Sequence, residues 1–177
     1  EPRQEAEKRA SRRDPLATQP GFAFAYHVPE RLTPEWYAMG ILDQILLQGE
    51  DSLLNQALVK EEGITSEITG GINAFLGTML DYKGPMLWQA YFIHDADVAD
   101  ERIVTTIDRV IEQVRSAPVD ADTISRAKVK WRSSFYNDVS STFGFGRANL
   151  LASLAIYDDK PSRINDFEAS MMQVTPE

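Results

Sequence analysis

The spacing of hydrophobic residues along the chain predicts strands mainly in its first half and helices in its second. Residues 22–28 carry an aromatic or apolar side chain at every second position, which predicts a strand that ends at Pro29. Residues typical of strands return over 64–76 and 86–94, with glycines between the two segments. We expect these two segments to pair as an antiparallel hairpin.

A helix start follows the first strand. Thr33 suits the N-cap and Pro34 the first helical position, and apolar residues then recur at intervals of three and four as far as Leu46. Gly49 is expected to cap the C-terminal end of this helix. A second, shorter helix is predicted over residues 52–61, with its leucines facing inward.

The segments from Asp97 onward have helical spacing, and we predict four helices there. Acidic residues near the first turns and proline or glycine near the ends mark their limits. The expected landmarks are, in chain order, Ile103 on the inner face of the first helix, a stop at Pro118, a cap at Asp120 or Asp122, a third helix over 140–157 that is loosened near Gly144 and Gly146, and the start of a fourth near Pro161.

The order of these elements predicts an α+β fold, in which helices pack on one face of a mostly antiparallel sheet. Residues 1–20 are polar and contain several prolines, so we expect a linker or an edge-strand arm there. Residues 21–177 are predicted to form a single domain. Because residues 175–177 repeat the Thr-Pro-Glu helix start seen at Thr33, we expect that domain to be truncated before a last helix.

Charge and composition exclude several classes of protein. The net charge is −9, and residues 1–20 hold five basic and four acidic side chains, so the remainder carries −10. Such an acidic body repels phosphate groups, which argues against nucleic acid or an anionic membrane as a partner. The one basic cluster predicts a solvated arm and comprises Lys8, Arg9, Arg12 and Arg13.

The absence of cysteine excludes disulfides, thiolate metal sites and a cysteine nucleophile. The chain has only two histidines, which excludes a three-histidine zinc site built from this chain alone. No apolar run approaches the roughly 20 residues that span a bilayer, and no signal peptide is recognisable at Glu1.

Two candidate sites come from the titratable residues. His27 and His94 lie near strand ends and could meet across the sheet, with Asp95 and Asp97 completing a metal site. No His-x-x-x-His or His-x-His pair supports this, so hydrogen-bonded histidines are the preferred interpretation. The paired carboxylates are expected to be solvated rather than catalytic, and they are Glu61-Glu62, Asp100-Glu101 and Asp158-Asp159. We therefore predict neither a catalytic residue nor a metal ligand in this chain.

Four stretches in the same order resemble the C-terminal, non-zinc half of the pitrilysin/insulinase superfamily of zinc metallopeptidases, which includes the mitochondrial processing peptidases. The strand AFAYHVP at 23–29 leads into a helix that ends in ILDQILLQG, and EDSLLNQALVKEEGI follows at 50–64. VDADTISRAKVKWRSSF at 119–135 is similar to the acidic cap and Ala-Lys of the family. GRANLLASLAIYDDKPSRINDFEASMMQVTPE at 146–177 is similar to its closing helices.

The resemblance implies which residues face substrate. In the family, Leu-Arg-x-x-x-Gly-Leu-x-Tyr supplies an arginine and a tyrosine that reach into the active site of some members. Leu58 and Gly63 match this motif and Ile64 replaces its second leucine, while the arginine position falls on Val59 and the tyrosine position on Ser66. Val59 cannot pair with a carboxylate and Ser66 is too short to reach a tetrahedral intermediate. The transition-state stabilisation that the family's arginine and tyrosine provide therefore comes from elsewhere in the protein or has been lost.

The family binds zinc through an inverted His-x-x-Glu-His motif in a homologous N-terminal domain. This motif is absent here, so the resemblance implies no cofactor in this chain and zinc in a partner domain of the same or another chain. The implied function is a noncatalytic half that helps to enclose a chamber for unfolded peptide substrates. The alternative is a structural or assembly subunit without peptidase activity. An unrelated α+β enzyme that uses His27 or His94 is a third hypothesis.

The sequence identifies neither a particular substrate nor a particular compartment. Acidic side chains near the chamber, namely Glu61, Glu62 and Glu67, would favour basic peptides. A bacterial periplasmic, cytoplasmic or mitochondrial location is compatible with the absence of cysteine.

Overall fold

The computed structural model describes residues 4–141 and 146–176. These residues contain one three-stranded sheet, in which the last strand of the sequence lies in the middle and pairs antiparallel with both others. The strands are β1 Gly21–His27, β2 Thr69–Ile72 and β3 Leu87–Ile93. The antiparallel pairing expected for the second and third segments is confirmed.

The second strand is shorter than the predicted range of 64–76. The backbone amides of Ile64 and Thr65 both donate to the carbonyl oxygen of Leu58, at 2.8 and 3.4 Å, so they close the preceding helical turn instead of joining a strand ladder. After Ile72, Asn73 has a φ of +57°, which turns the chain out of the strand. Strand β2 is therefore shortened at its start by these hydrogen bonds to Leu58 and at its end by the turn at Asn73.

The helices follow the predicted order. They are α1 Pro34–Leu46, α2 Leu53–Asn55, a π-helical segment Gln56–Glu61 continuous with α2, α3 Asp100–Ser116, α4 Ala121–Ser140, α5 Gly146–Asp158, a single 3₁₀ turn Pro161–Arg163, and α6 Ile164–Met172.

Helix α1 begins as predicted and ends earlier. The amide of Trp36 donates to the Thr33 hydroxyl at 3.2 Å, which confirms the N-cap. At the other end Leu47 is the cap, and the amides of Leu47 and Gln48 both donate to the carbonyl oxygen of Asp43. This bonding closes the last turn before Gly49, whose φ of +82° belongs to the following loop.

The limits of the later helices correct the sequence prediction in two places. The Asp120 cap of α4 is confirmed, because the amide of Thr123 donates to its carboxylate at 2.9 Å. Ser140 is the last residue of α4 rather than the start of the third helix, and α5 begins at Gly146. The expected loosening at Gly144 lies outside the described residues. The fourth helix is preceded by the 3₁₀ turn that starts at Pro161.

Residues 4–20 form neither helix nor strand, and the side chains of residues 4–19 are exposed. Within residues 4–20, the described part of the expected arm, no edge strand is formed. Within this segment, the amide of Ala17 donates to the carbonyl oxygen of Asp14, and Arg9 pairs with Glu7 at 2.5 Å. At its end, the carbonyl oxygen of Pro20 accepts a hydrogen bond of 3.1 Å from the amide of His94. The proposed boundary at residue 20 stays a prediction.

The helices cover one face of the sheet, as predicted. In β3, Trp88 and Phe92 point into the helical layer and are 1% and 2% exposed, whereas Tyr91 and Ile93 point to the other side and are 39% and 49% exposed. The covered face packs against buried helical residues, notably Trp36, Ile41, Leu54, Leu58, Ile103, Ile107, Phe167 and Met171.

Candidate substrate-facing surface

The two positions that the sequence assigned to substrate lie on either side of a turn. Val59 is half-buried in the π-helical segment, and Ser66 is exposed in the loop before β2. The hydroxyl of Thr65, next to Ser66, lies 2.8 Å from the carbonyl oxygen of Ile93 and 2.9 Å from that of Glu67. This hydroxyl fastens the Ser66 loop to the end of β3.

The π-helical geometry of residues 56–61 is a feature that the sequence did not reveal. Glu62 donates its amide to the carbonyl oxygen of Ala57 at 3.0 Å, five residues back, instead of four as in an α-helix. Such π-turns are frequent at functional sites. The motif spacing therefore places Val59 on a segment whose side-chain directions differ from those of a regular helix.

The acidic residues beside this turn are paired with arginines of α3. Arg102 binds the Glu62 carboxylate at 2.8 Å, and Arg109 binds Glu61 at 3.2 Å. All four side chains are partly exposed, so each pair contributes little to stability. The pairing neutralises the carboxylates that were expected to favour basic peptides, and Glu67 is the remaining one of that group.

His27 and His94 lie at opposite ends of the sheet, so the metal site considered for them is wrong. Residue 21 pairs with Ile93 and His27 pairs with Leu87, which places the two histidines about 20 Å apart along the strands. His94 is buried, and its Nδ1 lies 2.9 Å from the carbonyl oxygen of Asp95. In the described ranges 4–141 and 146–176, no three His, Asp or Glu residues are grouped to bind a metal ion.

The uncovered face of the sheet carries small residues beside an aromatic wall. Ala23 and Ala25 of β1 form part of its floor, next to Gln89 and Tyr91 of β3. The ring of Phe75, from the loop between β2 and β3, lies 5.2 Å from the Tyr91 ring, measured between centroids. Together these residues line a shallow groove of about 190 Å³, which we call the aromatic groove.

The loop that carries Phe75 is held in an unusual conformation. Asn73, Phe75 and Gly77 all have positive φ, with Phe75 at +72°, a value that is rare for a bulky side chain. The loop is fixed by the side-chain amide of Asn73, which donates to the carbonyl oxygen of Thr78 at 3.0 Å, and by that of Gln89, which donates to Ala74 at 2.7 Å. Phe75 remains 69% exposed. Backbone strain of this kind persists where the surroundings enforce it, often at functional positions.

The far end of the same loop is tied to the helical layer by a buried ion pair. The guanidinium group of Arg31 donates to both carboxylate oxygens of Asp158, at 2.8 and 2.9 Å, and to the carbonyl oxygen of Met79 at 3.0 Å. The hydroxyl of Ser153 donates to Asp81 at 2.5 Å. Helix α5 therefore fixes residues 79–82, and with them the base of the loop.

Beneath the covered face lies a buried carboxylate. The indole Nε1 of Trp88 donates to Asp43 at 2.6 Å, and burial raises the pKa of Asp43 to about 6 against the weaker opposite effects of Trp88, Gln48 and Lys130. Asp43 lies between α1 and the sheet, away from the uncovered face. Its contacts join two layers, and we assign it no chemical step.

The geometry thus defines an α+β domain with a half-covered sheet, and the described residues contain no cluster suited to bind a metal. The family model of the peptidase M16 inactive domain matches residues 1–130. This chain therefore belongs to the peptidase M16 inactive domain family, which confirms the resemblance to the non-zinc half of these peptidases.

Solved structures with the same fold are either similar in length to this chain or considerably longer. The inactive peptidase domain of a candidate zinc protease from Bordetella parapertussis is 16% identical with a TM-score of 0.71, over 90% of this chain and 82% of that one. A protease from Helicobacter pylori is 15% identical with a TM-score of 0.70, over 88% of this chain and 35% of that one. The peptidase M16 inactive domain from Pseudomonas fluorescens is 17% identical with a TM-score of 0.70, over 90% of this chain and 35% of that one.

These identities show the fold alone, and this chain spans 35% of the Helicobacter pylori protease. No curated protein matches the sequence. None of the helices in the described residues has the length and apolar character needed to cross a bilayer.

Proposed function

We propose that this domain is the noncatalytic half of a zinc metalloendopeptidase and forms part of a closed substrate chamber opposite a zinc-bearing homologous domain. The observation that carries this proposal is the match of residues 1–130 to the inactive domain of the M16 peptidases. The similar protease from Helicobacter pylori is almost three times as long as the part that this chain covers, which supports a second domain in that relative.

Zinc would be bound by the partner domain. The 177 residues contain two histidines and no His-x-x-Glu-His motif, so this chain does not supply the family's zinc ligands. Its own contribution would be a rigid wall, since a peptidase for unfolded chains must exclude folded proteins and hold the substrate opposite the metal. The packed helical layer behind the sheet provides the required rigidity.

Val59 and Ser66 are proposed to face the substrate from this wall. Neither side chain offers a charge, so contacts from these positions would be apolar from Val59 and a single hydroxyl hydrogen bond from Ser66. Ser66 is exposed and anchored through Thr65, which suits a positioned contact. Neither residue would stabilise an oxyanion.

A structural or assembly role is the second candidate. The observation that favours it is the same pair of residues, because Val59 and Ser66 stand where active family members carry an arginine and a tyrosine. A domain that only supports a larger complex has no need for either group.

The deciding experiment is cleavage of an unstructured peptide library by the natural full-length assembly, with and without a chelator. We expect chelator-sensitive cleavage that disappears when this domain is deleted. Absence of cleavage from an assembly that is folded and zinc-loaded would overturn the proposal and favour the structural role.

A matched pair of substitutions tests the substrate-facing residues in the same assay. Val59→Glu should raise KM at least several-fold, because it places a negative charge and a longer side chain on the chamber wall and does not restore the arginine that the family carries at this position. Val129→Glu introduces the same side chain at an exposed position of α4 and should leave KM unchanged. Equal effects of the two substitutions would remove Val59 from the substrate surface.

A further inference from the structure

The uncovered face of the sheet differs from the rest of the surface in charge. The chain is 25% charged, yet the residues that point to this face from β1, β2 and β3 include no Asp, Glu, Lys or Arg. They are, in strand order, Gly21, Ala23, Ala25, His27, Thr69, Leu87, Gln89, Tyr91 and Ile93. An uncharged surface on an acidic body favours an uncharged, apolar occupant.

The size of this face limits what can cover it. Strands β1 and β3 have seven residues and are about 23 Å long, β2 has four, and the three strands together are about 14 Å wide, so the face measures at most roughly 300 Å². A stable interface between two protein subunits buries about 800 Å² on each partner. The face alone is therefore too small for a second copy of this chain or a partner domain, but it suits one extended segment of peptide.

The aromatic groove lies on this face and has the dimensions of one side chain. Its volume is about 190 Å³, and a cavity of about 150 Å³ is sufficient for benzene. Ala23 and Ala25 leave its floor open, while the rings of Phe75 and Tyr91 offer a wall for stacking or edge-to-face contact.

The wall is built into the loop rather than left mobile. Asn73 and Gln89 hold the loop by side-chain hydrogen bonds of 3.0 and 2.7 Å, and the positive φ of Phe75 directs its ring outward against Tyr91. A loop held in place before binding loses little conformational entropy when a ligand arrives, which favours recognition.

We propose that the aromatic groove binds one large apolar side chain, aromatic or branched aliphatic, of an extended, uncharged peptide segment. This inference rests on the proposed function, since it names the class of side chain that the chamber wall selects. Phe75 and Tyr91 would determine the specificity, and the alanines of β1 would admit the side chain.

The test uses three blocked, uncharged heptapeptides that differ only in the central residue, which is Phe, Leu or Ala. Titrated into the full chain labelled with ¹⁵N, the Phe and Leu peptides should shift the amide resonances of residues 23, 25, 75, 89 and 91, and the Ala peptide should not. Phe75→Gly and Tyr91→Ala should each weaken Phe-peptide binding roughly threefold to tenfold. Ile156→Ala removes an equally exposed apolar side chain from α5 and should have no effect.

A second measurement needs no substitution in the chain. The same heptapeptide with a central benzophenone side chain should form a photo-adduct with residues of the groove, mapped by mass spectrometry. Adducts elsewhere, equal shifts with the Ala peptide, or shifts that depend on protein concentration in the absence of peptide would overturn the inference. The last result would identify a second copy of the chain as the occupant.

The full-length assembly separates this inference from the proposed function. If chelator-sensitive cleavage requires this domain but Phe75→Gly leaves the preference between Phe and Ala peptides unchanged, the groove inference fails and the proposed function stands. If no cleavage occurs but the groove binds the Phe peptide, the proposed function fails and the groove remains a binding site.

Discussion

The two faces of one strand show how differently the same sheet is used. On the covered face of β3, Trp88 and Phe92 are almost fully buried, and Trp88 also donates a hydrogen bond to Asp43. On the uncovered face, next to Phe92 in the sequence, Tyr91 is 39% exposed, and its ring contacts that of the exposed Phe75. The covered face contributes to stability through burial, whereas the uncovered face keeps apolar surface in contact with solvent at a free-energy cost.

The largest expected effect on stability comes from truncating one aromatic residue on each face and comparing the two losses. Trp88→Ala should lower the free energy of unfolding by about 3–5 kcal/mol, because it opens a cavity and leaves Asp43 without its indole donor. Tyr91→Ala should cost less than about 1 kcal/mol. Urea unfolding followed by circular dichroism measures both. Similar losses from the two substitutions would mean that the uncovered face is packed in solution.

A smaller effect concerns the carboxylate beneath the covered face. Asp43 has a pKa of about 6 in the folded chain, against about 3.9 when unfolded. The folded state therefore binds more protons between pH 4 and 6, and the free energy of unfolding falls as pH rises through this window. Relative to Asp43→Asn, the wild-type chain should lose about 2–3 kcal/mol between pH 4 and 7.

Asp51 is the control for that pH dependence. Its hydrogen bond with Lys130 lowers the pKa of this exposed carboxyl group, so its contribution is present above its unfolded pKa and is lost as pH falls. Asp51→Asn should therefore change the pH profile in the opposite direction and by less. A profile of Asp43→Asn that runs parallel to that of the wild type would show that Asp43 titrates normally.

The smallest expected change in stability belongs to the wall of the aromatic groove. Phe75→Gly should leave the free energy of unfolding within about 1 kcal/mol of the wild type, because glycine adopts a φ of +72° readily, which offsets its greater freedom in the unfolded chain. Phe92→Gly, on the covered face, should cost several times more. Thermal unfolding compares the two, and a large loss from Phe75→Gly would assign that residue to the core.

Local signals in the sequence located the helix starts well. Thr33 and Asp120 cap helix starts because their side chains accept hydrogen bonds from amides only three residues away. Helix ends were less accurate, since Gly49 was expected as a cap and the chain instead closed the turn at Leu47 through the carbonyl oxygen of Asp43. Glycine permits a cap but does not determine which carbonyl accepts the last hydrogen bonds.

The candidate site was predictable only in part. The motif spacing identified Val59 and Ser66 as positions of interest, but the π-helical turn between residues 56 and 61 depends on which amides reach the carbonyl oxygens of Ala57 and Leu58. The metal site of His27 and His94 failed because strand ends do not reveal direction. An antiparallel register places the end of one strand beside the start of the next.

The sequence by itself determined the class of fold, the order of its elements, the absence of a cysteine or family zinc motif, and the family. Each of these depends on composition or on the spacing of residues along the chain, which needs no distant contact. Only the tertiary structure decided that one sheet face stays uncovered and that Phe75 stands beside Tyr91. That pairing joins residues from a loop and a strand through the hydrogen bonds of Asn73 and Gln89, and no local pattern encodes it.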